Sequence, residues 1–291
     1  MVEAEANLAN YILTPAGAET ICANSEKNED NQFELEIAEK NQISPDTIMF
    51  KFKSPNADWL SGLPLCQHLK LFKKLEGEDE FISRMYTPVS PITQKGTIDF
   101  VIKCYPKTEE FPNGGQMGAY LASLNVGDKV LMEGPMGKIT YVGNGDFNIR
   151  GKGTRKVSKL GLLAGGSGLT PLYSVLNALY LSKDTHVKQC HMLYSNKTDA
   201  DVLMRQELDA INADASAPHI RVTHTITRAT EDSAASNVLR GRANIEMLRS
   251  LEGFPAPGDD VLIAMCGPKS FNDACKTFLL ENGYTEEMIF P

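Results

Sequence analysis

With 291 residues and 42% of them hydrophobic, the chain is long enough for one large or two ordinary domains and has apolar material to fill their cores. Its net charge of −8 argues against a nucleic-acid-binding role for the molecule as a whole. No apolar run is long enough for a membrane-spanning helix.

Met1 to Asp30 is acidic and polar and lacks the basic-then-apolar layout of a secretory leader. It is expected to be a mobile arm over residues 1–30. The six cysteines, Cys22, Cys66, Cys104, Cys190, Cys266 and Cys275, form no C-x-x-C pair, and no Cys/His set has zinc spacing. Free thiols in a reducing compartment are therefore expected, with no metal. The expected location is cytoplasmic, or the cytosolic face of a membrane if an anchor is missing from the chain.

From Phe33 the texture changes. Phe33–Ile37, Thr47–Lys53, Leu69–Leu71 and Thr97–Lys103 alternate apolar and polar residues, the period of half-buried strands. Ser54-Pro55-Asn56 and Gly77 separate them as turns. A short helix is predicted over Met117–Leu124 and a strand over Lys129–Met132. Short strands without long helices between them predict an antiparallel β-barrel or sandwich over residues 31–149.

Residues 150–159 carry Arg150, Lys152, Arg155, Lys156 and Lys159 and are expected to be a basic linker. Beyond them the pattern is different. Strands are predicted at Leu160–Leu163, Cys190–Tyr194, Ile220–Ile226 and Val261–Met265. Helices are predicted at Pro171–Leu181, Asp201–Ile211, Ile245–Leu251 and Phe271–Glu281. Alternating strands and helices imply right-handed crossovers and a doubly wound α/β parallel sheet over residues 160–291.

The sharpest local signal is Leu162-Leu163-Ala164-Gly165-Gly166-Ser167-Gly168-Leu169-Thr170-Pro171, an apolar strand running through glycines into a helix. Glycines let backbone N–H groups approach a phosphate, and a helix N-terminus attracts an anion. Thr170 fits an N-cap and Pro171 the first helical position. The segment is not G-x-G-x-x-G, and a tight turn that binds nothing accounts for it equally well. Cys266-Gly267-Pro268 also follows a strand, where the thiol could face a ligand or simply be buried. In Arg84-Met85-Tyr86-Thr87-Pro88, the arginine could clamp a pyrophosphate and the tyrosine stack on a flat ring, or the segment could be an ordinary strand end.

Taken in order, these segments resemble the ferredoxin–NADP reductase superfamily, and within it the NADH–cytochrome b5 reductases. The likeness rests on Arg84-Met85-Tyr86-Thr87-Pro88, Asp99–Lys103, Phe111–Met117, Val126-Gly127-Asp128, Glu133–Gly137, Gly165–Pro171, Tyr194–Thr198 and Met265–Pro268, and it covers roughly residues 33–290. It implies a two-domain flavoenzyme that takes hydride from NADH onto FAD and passes single electrons to cytochrome b5 or a similar acceptor. Four alternatives stand beside it: a reductase module of a larger oxidoreductase, a quinone reductase, a ferric-chelate reductase, and a flavin-binding protein without turnover.

The resemblance also implies site residues. The FAD side would comprise Arg84, Met85, Tyr86, Thr87, Val101, Ile102, Lys103, Tyr105, Phe111, Gly114, Gly115, Gln116, Met117 and Gly118. Arg84 would bind the pyrophosphate, Thr87 would bond near the flavin ring, and His68 would link to that threonine. The nucleotide side would comprise Gly166, Gly168, Thr170, Thr227, Arg228, Cys266, Gly267 and Pro268, with Cys266 facing the nicotinamide. Thr87, Cys266 and His68 would be the catalytic group.

Four positions depart from the branch pattern: Met85 where proline is usual, Gln116 for lysine, Gly118 for serine, and Thr227 for an acid. An acid there would accept ribose hydroxyls and repel a 2′-phosphate. Thr227 cannot repel it, so NADH is the expected donor with NADPH allowed. Basic residues in 150–159, together with Lys51, Lys53, Lys70, Lys73 and Lys74, could steer an acidic protein partner, although Gln116 removes one charge. A monomer is expected.

Overall fold

The computed structural model describes residues 11–74, 81–105, 107, 109, 112, 114–228 and 238–291. The chain divides into two compact units, Met1–Thr140 and Tyr141–Pro291.

In the first unit, α1 (Ile21–Asn24) precedes β1 (Phe33–Ser44), β2 (Thr47–Lys53), β3 (His68–Lys74), β4 (Phe81–Tyr86), β5 (Thr97–Lys103), α2 (Gln116–Ser123) and β6 (Lys129–Met136). The strands form one six-stranded antiparallel sheet in the order β4-β3-β6-β1-β2-β5. Alternation decides which face is buried. Ile98, Phe100 and Ile102 of β5 enter the same core as Phe33, Leu35 and Ile37 of β1 and Phe50 and Phe52 of β2. Phe52 meets Phe50 and Phe100 with ring centroids 6.1 and 5.8 Å apart.

Part of the expected arm is folded. Ile21 and Cys22 lie in this core. Thr20 caps α1 by accepting the Ala23 N–H at 3.2 Å, and the Ile21 N–H donates to the Leu60 carbonyl at 2.8 Å. Burying the two apolar side chains anchors the segment, despite the acidic residues around it.

The expected linker also has structure. β7 (Ile139–Gly143), β8 (Asp146–Ile149) and β9 (Gly153–Lys156) form a three-stranded sheet. Tyr141 is fully buried and donates its hydroxyl to the buried carboxylate of Asp184, which also accepts the Asn144 N–H at 3.0 Å. Arg155 donates to the Val261 carbonyl at 2.8 Å and to the Glu287 carbonyl. These bonds tie residues 141–156 into the second unit.

That unit continues through β10 (Lys159–Gly165), α3 (Leu169–Ser182), β11 (Gln189–Asn196), α4 (Arg205–Ala213), β12 (Ile220–Ile226), β13 (Val238–Arg240), α5 (Ile245–Ser250), β14 (Val261–Cys266), α6 (Lys269–Glu281) and β15 (Ile289–Phe290). Its sheet is wholly parallel in the order β13-β12-β11-β10-β14-β15. The chain winds outward from β10 to β13, then returns to place β14 on the other side of β10. The order therefore reverses between β10 and β14, and their carboxyl ends flank the crevice where parallel sheets bind ligands.

His191 of β11 is only 3% exposed and sits between the Glu252 carbonyl at 3.1 Å and the Thr223 hydroxyl at 2.9 Å. Burial pushes its pKa down from 6.5 to about 4, so the unfolded chain binds the proton first as pH falls. The stability contributed by neutral His191 is complete above pH 6.5 and is lost between 6.5 and about 4, a loss on the order of 3 kcal/mol. Urea titrations should show this decline in the wild type and a flatter profile in His191→Gln.

Candidate functional site

The β10 strand ends in Gly165, and a tight turn over Gly166–Gly168 leads into α3. Gly166 has φ +53°, a left-handed conformation suited to glycine. Gly168 is required for a different reason. A Cβ on it would stand 2.2 Å from the Cys266 carbonyl oxygen and 2.7 Å from the Gly267 nitrogen. A Cβ on Gly267 would stand 3.2 Å from the Gly165 Cα and 2.7 Å from the Phe271 ring. The turns after β10 and β14 thus pack backbone against backbone.

Both turns lead into helices that lack a side-chain cap. α3 is capped by Gly168 and α6 by Pro268, neither with a side-chain hydrogen bond. Thr170, expected as the N-cap, is instead the second residue of α3, because the glycine turn already closes onto Leu169 through its N–H to the Gly166 carbonyl. Thr170 is buried, and Pro171 remains in the first turn, where its missing N–H costs nothing. Two helix N-termini at a strand-order reversal are suited to an anion.

Cys266 is partly buried at the end of β14, and burial pushes its thiol above the usual range. It is therefore a protonated thiol at neutral pH rather than a thiolate nucleophile. Thr227 follows β12; its N–H and hydroxyl donate to the Asn196 carbonyl at 2.9 and 3.3 Å. Arg228 follows with its side chain exposed and its N–H on the Lys197 carbonyl at 2.8 Å.

Two residues here carry more than the sequence disclosed. Asn196 ends β11 only 5% exposed, and neither amide atom has a hydrogen-bond partner. An unsatisfied buried amide is unfavourable, so this end of the sheet suits a polar ligand group. Tyr194, fully buried, donates its hydroxyl to the Gly166 carbonyl at 3.1 Å. Both lay inside a recognised motif, but only their position beside the glycine turn assigns them a use.

The first unit holds the other residue set. Arg84 is exposed on β4, at the sheet edge, and donates to the Ser83 carbonyl at 2.7 Å. Met85 is 67% exposed. Tyr86 packs half-buried on the core, and burial raises its phenol well above the usual range. Thr87, which follows, is buried. α2 packs against β3 and against β4, the strand that carries Arg84.

Gly114 has φ +59°, and the Gly115 N–H donates to the Tyr105 carbonyl at 2.9 Å. Gly115 caps α2 without a side-chain bond, and Gln116 is exposed at the helix start. A Cβ on Gly118 would lie 3.0 Å from the Cys104 Cα, so glycine in place of serine lets the helix sit tight on the strand end. An exposed arginine and an uncapped helix start are both groups that suit a diphosphate.

Several expected flavin contacts are used elsewhere. Ile102 and Met117 turn their side chains into the core, leaving only their backbone for a ligand. Lys103 pairs with Asp46 at 3.0 Å. Val101 is buried on the opposite face of β5 from Ile102, and Tyr105 is 42% exposed. His68 is half-buried with its pKa lowered by burial, and no hydrogen bond joins it to Thr87. Phe111 lies outside the described residues.

Comparison with known proteins accounts for both units. The family model described as an oxidoreductase FAD-binding domain matches residues 34–141, and the one described as an oxidoreductase NAD-binding domain matches residues 162–277. The chain is thus an FAD- and nicotinamide-nucleotide-binding oxidoreductase with a ferredoxin-reductase-like fold. Mouse (Mus musculus) NADH-cytochrome b5 reductase 3 is 35% identical over 272 residues, covering 91% of this chain and 87% of that protein. Human (Homo sapiens) NADH-cytochrome b5 reductase 1 is 36% identical over 264 residues, covering 88% and 84%. The crystal structure of the cytochrome b5 reductase domain of Ulva prolifera nitrate reductase superposes with a TM-score of 0.81 at 30% identity, covering 91% of this chain and all of that one. The chain belongs to the NADH–cytochrome b5 reductase family.

The backbone packing sets a test. Gly168→Ala places a methyl on the Cys266 carbonyl and should lower stability by about 2–4 kcal/mol and weaken NAD⁺ binding severely. Gly166→Ala meets open space and should cost only about 1–2 kcal/mol for its left-handed φ. Thermal unfolding and calorimetric NAD⁺ titration of the two variants give the comparison.

Proposed function

We propose that this protein oxidises NADH through FAD and delivers the electrons singly to a protein acceptor of the cytochrome b5 class. The observation that carries the reading is the packing of Gly165–Gly168 onto Cys266-Gly267 at the reversal point of the parallel sheet. It opens two helix N-termini to the pyrophosphate of a dinucleotide.

Bound FAD supplies the change from two-electron to one-electron chemistry. The chain's residues do the holding. Arg84 and the N-terminal turn of α2 take the diphosphate of the flavin nucleotide, and Tyr86 and Thr87 border its ring system. Gly166–Thr170 and the start of α6 receive the nicotinamide nucleotide. Cys266, a neutral thiol, adds bulk and polarisability beside the nicotinamide without adding charge. Thr227 and Arg228 lie at the adenosine end; a threonine there leaves room for a 2′-phosphate that an acid would repel.

Several of the cations expected to steer an acidic partner are already engaged. Lys51 pairs with Glu39 at 2.9 Å, Lys156 with Asp146 at 3.4 Å and Lys159 with Asp260 at 3.3 Å. Lys70 lies over the Phe72 ring and faces Glu133 at 3.8 Å. Such pairing weakens the field available for steering, so the acceptor assignment rests mainly on family membership. The match to a whole reductase domain from nitrate reductase favours one second reading, a reductase module that serves a haem domain of a longer oxidoreductase.

Purified protein should be yellow after FAD addition, and anaerobic NADH should bleach its visible absorption. Protein that stays colourless with FAD overturns the reading. Once bleached, it should reduce cytochrome b5 rapidly, whereas transfer confined to quinones or ferric chelates would reassign the acceptor. Thr227→Asp should raise the KM for NADPH at least tenfold (about 1.4 kcal/mol) and leave that for NADH unchanged or lower. An unchanged NADPH/NADH ratio would remove Thr227 from the specificity site.

A further inference from the structure

The glycine turn after β10 has a conformation held in part from outside the turn. Gly166 is left-handed at φ +53°, with no atom within 4 Å of where its Cβ would be. Its carbonyl is fixed from elsewhere. It accepts the Leu169 N–H inside the turn and the Tyr194 hydroxyl at 3.1 Å. That same hydroxyl accepts the Leu203 N–H at 3.2 Å, from the segment between β11 and α4. Tyr194 cannot drift, because it is fully buried on β11 and its ring lies 5.9 Å from that of His224.

Peptide geometry converts this anchor into a direction. In a trans peptide the C=O and the following N–H point opposite ways. Drawing the Gly166 carbonyl inward onto Tyr194 turns the Ser167 N–H outward, beyond the carboxyl end of β10. It also fixes the orientation of the first turn of α3.

We infer that Tyr194 is a positioning residue for the nicotinamide nucleotide: its hydroxyl pins the Gly166 peptide and the Leu203 backbone together, so that the glycine turn presents its N–H groups to the pyrophosphate. The inference rests on the reading of this turn as the dinucleotide site. Sequence alone places Tyr194 at the end of a buried strand and at the start of a family motif, without a role for its hydroxyl. The structure makes it a joint between two loops at the same end of the sheet.

The test uses FAD-loaded enzyme and the variant Tyr194→Phe, with Tyr284→Phe as a matched control. Tyr284 is a buried tyrosine whose hydroxyl donates to the Pro255 carbonyl at 2.6 Å, away from the glycine turn. Tyr194→Phe should raise the KM for NADH and the calorimetric Kd for NAD⁺ about tenfold each, with kcat changed less than threefold. Tyr284→Phe should lower the Tm without moving either constant. If both variants lose stability alike and bind NAD⁺ as the wild type does, Tyr194 is only a packing residue and the inference fails. If wild-type enzyme does not bind NAD⁺, the dinucleotide reading fails first, and the control experiment reveals it.

Amide hydrogen exchange on the wild type provides a measurement that needs no variant. NAD⁺ should slow exchange at Ser167–Leu169 and at Leu203 together. Slowing at the turn with Leu203 unchanged overturns the coupling.

Discussion

The second unit depends on the approach of two strand ends whose backbones touch. Gly168 lies against the Cys266 peptide so closely that any side chain would overlap the carbonyl, and Gly267 closes against Gly165 from the other side. Only the reversal of strand order between β10 and β14 brings two turns from distant parts of the chain to that spot. Once they meet, α3 and α6 must both begin there, and their uncapped N-termini must both open there. A place suited to an anion is thus a consequence of the topology rather than an addition to it. The glycines are less a flexible loop than the contact surface that makes the two turns compatible.

The first unit reaches a similar end by another route. Its helix start at Gly115–Met117 is held by backbone, through the Gly115 N–H on the Tyr105 carbonyl and the close seat of Gly118 on Cys104. The side chains around it serve the fold: Met117 and Ile102 fill the core, and Lys103 neutralises Asp46. What remains toward a ligand is backbone N–H, an exposed arginine and the half-buried Tyr86. That division would let Gln116 and Gly118 depart from the family pattern without undoing a site there, since a helix start attracts an anion through its peptide groups.

Much of this was readable in the residues, for reasons that also mark the limits. Period-two alternation located β2 and β5 at their observed bounds, because a half-buried strand must alternate. The switch to strand–helix alternation located the parallel sheet. Sparse anchors were not readable. Ile21 and Cys22 are two apolar residues in an acidic stretch, too few to set a period, yet they are enough to fold residues around them onto the first core. The charge of the basic run suggests a linker, whereas the structure uses Arg155 to satisfy carbonyls that precede β15 and lie in β14. A hydroxyl before a proline points to Thr170 as the N-cap of α3; the glycine turn caps the helix two residues earlier, at Gly168.

Tyr194 and Asn196 show why motif recognition and physical reading give different things. The motif places both residues in a family pattern and says nothing of what each does. The geometry separates them. Tyr194 has its hydroxyl committed on both sides, to Gly166 and Leu203, and so joins the two loops. Asn196 presents its carbonyl to Thr227 while its amide lacks a partner, so it stores an unmet polar demand beside the same crevice. A fully bonded group gains nothing by meeting a ligand, whereas an unsatisfied one recovers the cost of its burial when the ligand arrives. On the proposed reading the two residues, on one strand and two positions apart, would divide the work: one would fix the shape of the turn before binding, and the other would make binding more favourable than the empty state.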